Sequence, residues 1–110
     1  MEQQTNLKAN KENKPKTFEG ENSNVIFVGS KPLVNYIRGV ITQFNRGDAK
    51  EVIIKSRGKF ISRAVDVAEV AKRSLESKKI HVKNISISSE SFETEGKKTN
   101  ISTMDIVLSI

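Results

Sequence analysis

After Asn24, apolar residues recur in blocks whose spacing changes from one block to the next. "NVIFVG" is a short apolar run closed by Gly29, the pattern of a buried strand. In "SKPLVNYIRGVITQFNRG", residues Leu33, Val34, Ile37, Val40, Ile41 and Phe44 fall on one stripe at helical spacing. Ser30 stands where a cap belongs, Pro32 suits the first turn and Gly47 closes the helix. Gly39 within it costs about 1 kcal/mol relative to Ala, which predicts close packing at that position. "AKEVIIKSR" then reads as a second strand centred on Val52, Ile53 and Ile54.

"KFISRAVDVAEVAKRSLES" returns to helical spacing, but its apolar face is wide. Ile61, Val65, Ala68 and Leu75 lie on one side, with Ala64, Val67, Val70 and Ala71 beside them. A face that broad, built largely of small residues, predicts packing on two sides and hence self-association through this helix. In "KIHVKNISISSESF", Ile80 and Val82 occupy one phase and Ile85 and Ile87 the other, so a bulge is expected between the pairs. "ISTMDIVLSI" alternates at Met104, Ile106, Leu108 and Ile110, and the polar "ETEGKKTN" between the two strands reads as a hairpin tip. The order is β-α-β-α-β-β: an α/β two-layer sandwich, a four-stranded mixed sheet with two helices on one face. Helical crossovers between the first three strands predict parallel, right-handed connections.

Composition narrows the function classes. The chain has 110 residues, enough for one domain, and contains no Cys, so disulfides, thiolate metal sites and a Cys nucleophile are excluded. A single His rules out a His-rich metal site within one chain, and neither a metal nor any other cofactor is expected. No apolar run approaches the twenty or so residues of a membrane span, and the start of the chain lacks an apolar signal-peptide core, so an intracellular protein with no membrane contact is expected. Residues 1–23 show no apolar periodicity and read as a disordered polar tail ahead of a folded domain at 24–110. In that tail Lys8, Lys11, Lys14 and Lys16 balance Glu2, Glu12, Glu19 and Glu21. The net charge of +6 therefore belongs to residues 24–110, where 15 Lys and Arg face 9 Asp and Glu. A basic domain with a neutral tail points to a polyanionic partner.

Two strand-to-helix turns carry basic residues: Ser30-Lys31-Pro32, and Lys55 to Lys59 with Arg57 and Gly58 between. Both fall at the carboxyl ends of strands, on one edge of the sheet, at helix starts whose free N–H groups and dipole favour anions. Cations at a helix start oppose that helix's dipole, which makes sense where something negative lands. Gly58 would let a ligand's backbone approach, or simply supply a positive φ. Either turn alone reads as a solvated loop; together, on one edge of a basic domain, they read as a phosphate site.

"NVIFVGSKPLVNYI", "EVIIKSRGKFISRAVDVAEV" and "ISTMDIVLSI" resemble the Alba family, small basic nucleic-acid-binding proteins of archaeal chromatin, over residues 24–110. The resemblance implies a homodimer, or a heterodimer with a paralogue, joined through the second helix and the long hairpin. It implies a body that grips the phosphate backbone and hairpin arms that reach towards the minor groove of double-stranded DNA. Phosphate contacts would come from Lys31, Arg57 and Lys59, with Lys55 and Arg63 at the margin and Lys97, Lys98 and Asn100 on the arm. Leu75 falls where relatives place an apolar contact between neighbouring dimers. Ser30 replaces the first lysine of a pair found in many relatives, which removes an acetylation site and one phosphate contact per subunit.

The function expected is sequence-nonspecific DNA binding in the cytoplasm, associated with the chromosome, with RNA as a further partner. An alternative is an RNA-binding subunit of a ribonucleoprotein such as an RNase P-type assembly. Tyr36, Phe44, Phe60 and Phe92 are too scattered to suggest a base-stacking platform. An enzyme is the least supported class: His81, Asp48, Asp66 and Glu69 are the available acids and bases, and no phosphate-binding glycine loop or carboxylate cluster accompanies them.

Overall fold

The computed structural model describes residues 24–46 and 49–110. The expected tail and Gly47 lie outside the described residues. Four strands and two helices follow in the expected order: β1 (Val25–Phe27), α1 (Leu33–Asn45), β2 (Glu51–Arg57), α2 (Ile61–Ser74), β3 (His81–Thr94) and β4 (Lys97–Ser109). Short 3₁₀ turns at Gly58–Phe60 and Glu76–Lys78 flank α2.

The sheet order is β1-β2-β4-β3. β1 runs parallel to β2, and β4 is antiparallel to both β2 and β3. The first crossover thus joins neighbours, as expected, but the second does not. β3 points the same way as β2, yet β4 folds back from the hairpin and lies between them. The physical reason is burial. β4 turns Ile106 and Leu108 into the core, whereas every residue of β3 except Val82 is exposed. The more apolar strand takes the interior position.

Alternation along β2 places Val52, Ile54 and Ser56 under the helices and Glu51, Ile53, Lys55 and Arg57 on the open face. α1 contributes Val40 and Phe44 to the core, and α2 contributes Ala64, Val67, Ala68 and Ala71. The small residues on α2 let that helix sit low against the sheet and against α1. A Cβ on Gly39 would stand 3.3 Å from Ile26 Cδ1, so the costly glycine marks a close approach of α1 to β1.

Ser30 does not cap α1. Pro32 occupies the cap position with no side-chain cap bond, and the Lys31 N–H donates instead to the Tyr36 hydroxyl at 3.0 Å. In β3 the register slips between Val82 and Asn84: Val82 faces Leu108 and Ile85 faces Ile106. Three residues on β3 thus span two on β4, and this bulge returns Val82, Ile85 and Ile87 to one face. At the hairpin tip, Glu95 (φ 51) and Gly96 (φ 77) both take left-handed backbone, as a two-residue turn of this twist requires.

The last β2–β4 pair is Arg57 with Thr103. Beyond it β3 and β4 pair only with each other, forming a two-stranded arm of roughly 20 Å that lengthens the molecule to 50 × 26 × 22 Å. No helix among the described residues is long and apolar enough to cross a membrane.

Candidate nucleic-acid interface

The first basic turn is held from two sides. Arg63 reaches across from α2, its Nε donating to the Gly29 carbonyl at 3.0 Å and its terminal nitrogen to the Lys31 carbonyl. The Tyr36 hydroxyl takes the Lys31 N–H, and the Val28 N–H is bonded to the Lys55 carbonyl at 2.9 Å. With its backbone fixed in this way, the turn presents the Lys31 side chain to solvent. The family resemblance placed Arg63 at the margin of the nucleic-acid contacts. In the structure two of its N–H donors go to the turn's carbonyls, so it positions the turn and fastens it to the helix that follows the second one.

In that second turn, Gly58 has φ +57, and a Cβ there would meet Ile101 Cδ1 at 2.9 Å. The glycine is explained by the turn and by the arm strand packed on it, not by room for a ligand. Lys59 is exposed, its ammonium 5.5 Å from the centre of the Phe60 ring. It makes no ion pair among the described residues. Lys31, Lys97 and Lys98 are likewise exposed and make none there. Asn100, also on the arm, accepts a hydrogen bond from the Ser91 hydroxyl at 2.6 Å.

Lys55 and Arg57 are different. Both lie on the open face of the sheet, and both have carboxylate partners that the sequence reading missed. Lys55 Nζ pairs with Asp105 at 2.9 Å across the β2–β4 ladder, and Arg57 pairs with Glu90 of β3 at 3.2 Å. Asp105 sits on the polar phase of the β4 alternation, where a carboxylate is ordinary, and nothing local marked Glu90; the pairing of the strands alone brings each to its cation. The two pairs line an open cleft at the ends of β1 and β2, with Phe27 on its wall. Phe27 is 71% exposed, an aromatic surface that spacing along the chain did not single out.

Leu75 needs correction. It is 4% exposed and belongs to the core cluster, so in this chain it offers no side-chain surface to a neighbouring dimer. It ends α2, its N–H bonded to the carbonyls of Ala71 and Lys72, and the turn into the 3₁₀ segment points it inward. The acids and bases weighed for catalysis do not converge. His81 is exposed opposite Ser109, Asp66 is exposed on α2, and Glu69 pairs with Lys72 at 3.0 Å; Asp48 lies outside the described residues. Among the described residues no group of acidic or His side chains could hold a metal ion.

An α/β sandwich with two cationic turns on one edge and a projecting hairpin that carries Lys97 and Lys98 has the build of a small nucleic-acid-binding module. Comparison with known proteins makes the assignment specific. The Alba family model matches residues 24–89, and the chain belongs to that family. It is 55% identical over 84 residues to the DNA/RNA-binding protein Alba of Methanothrix thermoacetophila, covering 76% of this chain and 92% of the relative. It is 51% identical over 86 residues to the DNA/RNA-binding protein Alba 1 of Archaeoglobus fulgidus, covering 77% and 93%. Among solved structures, Alba from Thermoplasma volcanium matches with a TM-score of 0.71 and 42% identity, covering 78% of this chain and 99% of the other.

Proposed function

We propose that this protein binds nucleic acid through the phosphate backbone without reading sequence, coating duplex DNA as a chromosome-associated protein and also taking RNA. One observation carries the reading. Arg63 fastens the first basic turn to the helix that follows the second, so Lys31, Arg57 and Lys59 belong to one rigid edge beside an arm bearing Lys97 and Lys98. Cationic side chains carried on a fixed backbone suit a regular array of phosphates. The names of the relatives, DNA/RNA-binding protein, support both ligands.

We further infer that the working unit is a dimer. α1 packs on β1 and β2, and α2 on β2 and β4, so neither described helix packs over the helix-side face of β3. Ile85 (54% exposed) and Ile87 (75% exposed) lie on that uncovered face, an apolar surface that a second copy would bury. In a dimer, three to five cations per subunit correspond to roughly six to ten phosphates, and affinity then falls about 10³- to 10⁵-fold between 50 and 200 mM salt.

The test is the affinity of the full chain, its mass fixed by sedimentation, for a random-sequence duplex and a structured RNA across a salt series. Each sample is run beside the Arg57→Ala/Lys59→Ala variant. Loss of two contacts per subunit from a dimer should lower the log–log slope by about 3 to 4. A slope that the variant leaves unchanged would remove the second turn from the interface.

A further inference from the structure

We propose that Glu90 is a built-in competitor of the phosphate backbone. It holds Arg57 in the unbound protein, and nucleic acid binds at the second turn by displacing it. The inference rests on the function proposed above and adds a residue of opposite charge to it. The four charged groups of the cleft, Lys55, Arg57, Glu90 and Asp105, sum to zero, so an anion cannot be held there strongly unless a carboxylate gives way.

The two carboxylates are not equally able to do so. Asp105 stands directly opposite Lys55 in the β2–β4 ladder, and both side chains are 37% exposed. Glu90 has no such register with its partner. It lies opposite Ile101, and Arg57 opposite Thr103, so their ion pair reaches over β4 from the outermost strand. The side chains are 64% and 59% exposed, so the pair is readily exchanged. A phosphate offers the guanidinium two oxygens in matching geometry, where the 3.2 Å contact to Glu90 engages one.

The location of Glu90 matters as much as its charge. It sits where the arm leaves the sheet, so its bond to Arg57 also ties the arm to the basic turn. A lone anion would have to break this pair for one contact. A duplex breaks it while engaging Lys31, Lys59 and the arm lysines together. Glu90 therefore lowers the affinity of any ligand that engages Arg57 by the cost of breaking this pair, a cost that a duplex offsets with its other contacts.

The experiment compares duplex affinity at fixed salt for the full-length protein, Glu90→Gln, Glu51→Gln, Arg57→Ala and Arg57→Ala/Glu90→Gln. Glu51 is the matched control: its carboxylate pairs with Lys83 on the same open face, roughly 20 Å along β2 from Arg57 and beyond a Debye length. Glu90→Gln should bind about three- to tenfold tighter than the parent, Glu51→Gln within about twofold of it, and Glu90→Gln should have no further effect once Arg57 is Ala. Binding by the parent with Glu90→Gln no tighter than Glu51→Gln would overturn the role of Glu90 alone. Equal tightening with and without Arg57 would show a general charge effect and overturn it too. No binding by any of the five proteins at low salt would overturn the proposed function and this inference together.

Discussion

Replacing Gly58 by Ala separates two explanations of the basic turn. The backbone there has φ +57, left-handed space that costs an L-residue about 1–2 kcal/mol. The added Cβ would also stand 2.9 Å from Ile101 Cδ1 and 3.3 Å from its Cγ1, so that side chain must move. Ile101 is half-buried at the base of the arm, and its displacement adds about 1 kcal/mol, at the low end for overpacking. Gly58→Ala should therefore destabilise the fold by about 2–3 kcal/mol and lower Tm by on the order of 10–20 °C. Urea unfolding measures it, with parent and variant at the same protein concentration because the stability of a dimer depends on concentration. Ile101→Val removes the nearest atom. In that background the cost should fall towards the conformational part of about 1–2 kcal/mol, with only the milder Cγ contact left to relieve. A variant that keeps full stability yet loses nucleic-acid affinity would refute this reasoning and restore the view that the glycine makes room for a ligand.

Arg63→Ala should weaken duplex binding about three- to tenfold by freeing the first turn; Arg63→Lys should behave like the Ala variant, because an ammonium cannot reproduce the planar two-carbonyl grip. Duplex affinity, read beside amide exchange at residues 29–31, checks this, and full rescue by Lys would make Arg63 a direct phosphate contact instead. Leu75→Ala should cost about 2–5 kcal/mol in urea unfolding, the range for a leucine removed from a packed core, whereas an exposed contact between dimers would cost almost nothing there.

Spacing along the chain determined much of this protein. Period two in β2 and β4, period 3.6 in α1 and α2, the phase slip between Val82 and Ile85, and the polar hairpin tip are local facts that each segment imposes on itself. The basic edge was legible as well, because strand-to-helix turns after parallel strands emerge on the same side. Where a segment finds its neighbours was not legible. That β4 lies between β2 and β3 depends on which strand buries more apolar surface once both are folded, and that ordering brings Glu90 within reach of Arg57 from 33 residues away. The same dependence turned Leu75 inward, gave Arg63 two carbonyls to hold, and set Ile101 against Gly58. Spacing determines which face of its own element a side chain occupies, but the charge or surface that meets it there belongs to a distant part of the chain, and only tertiary pairing decides which part that is.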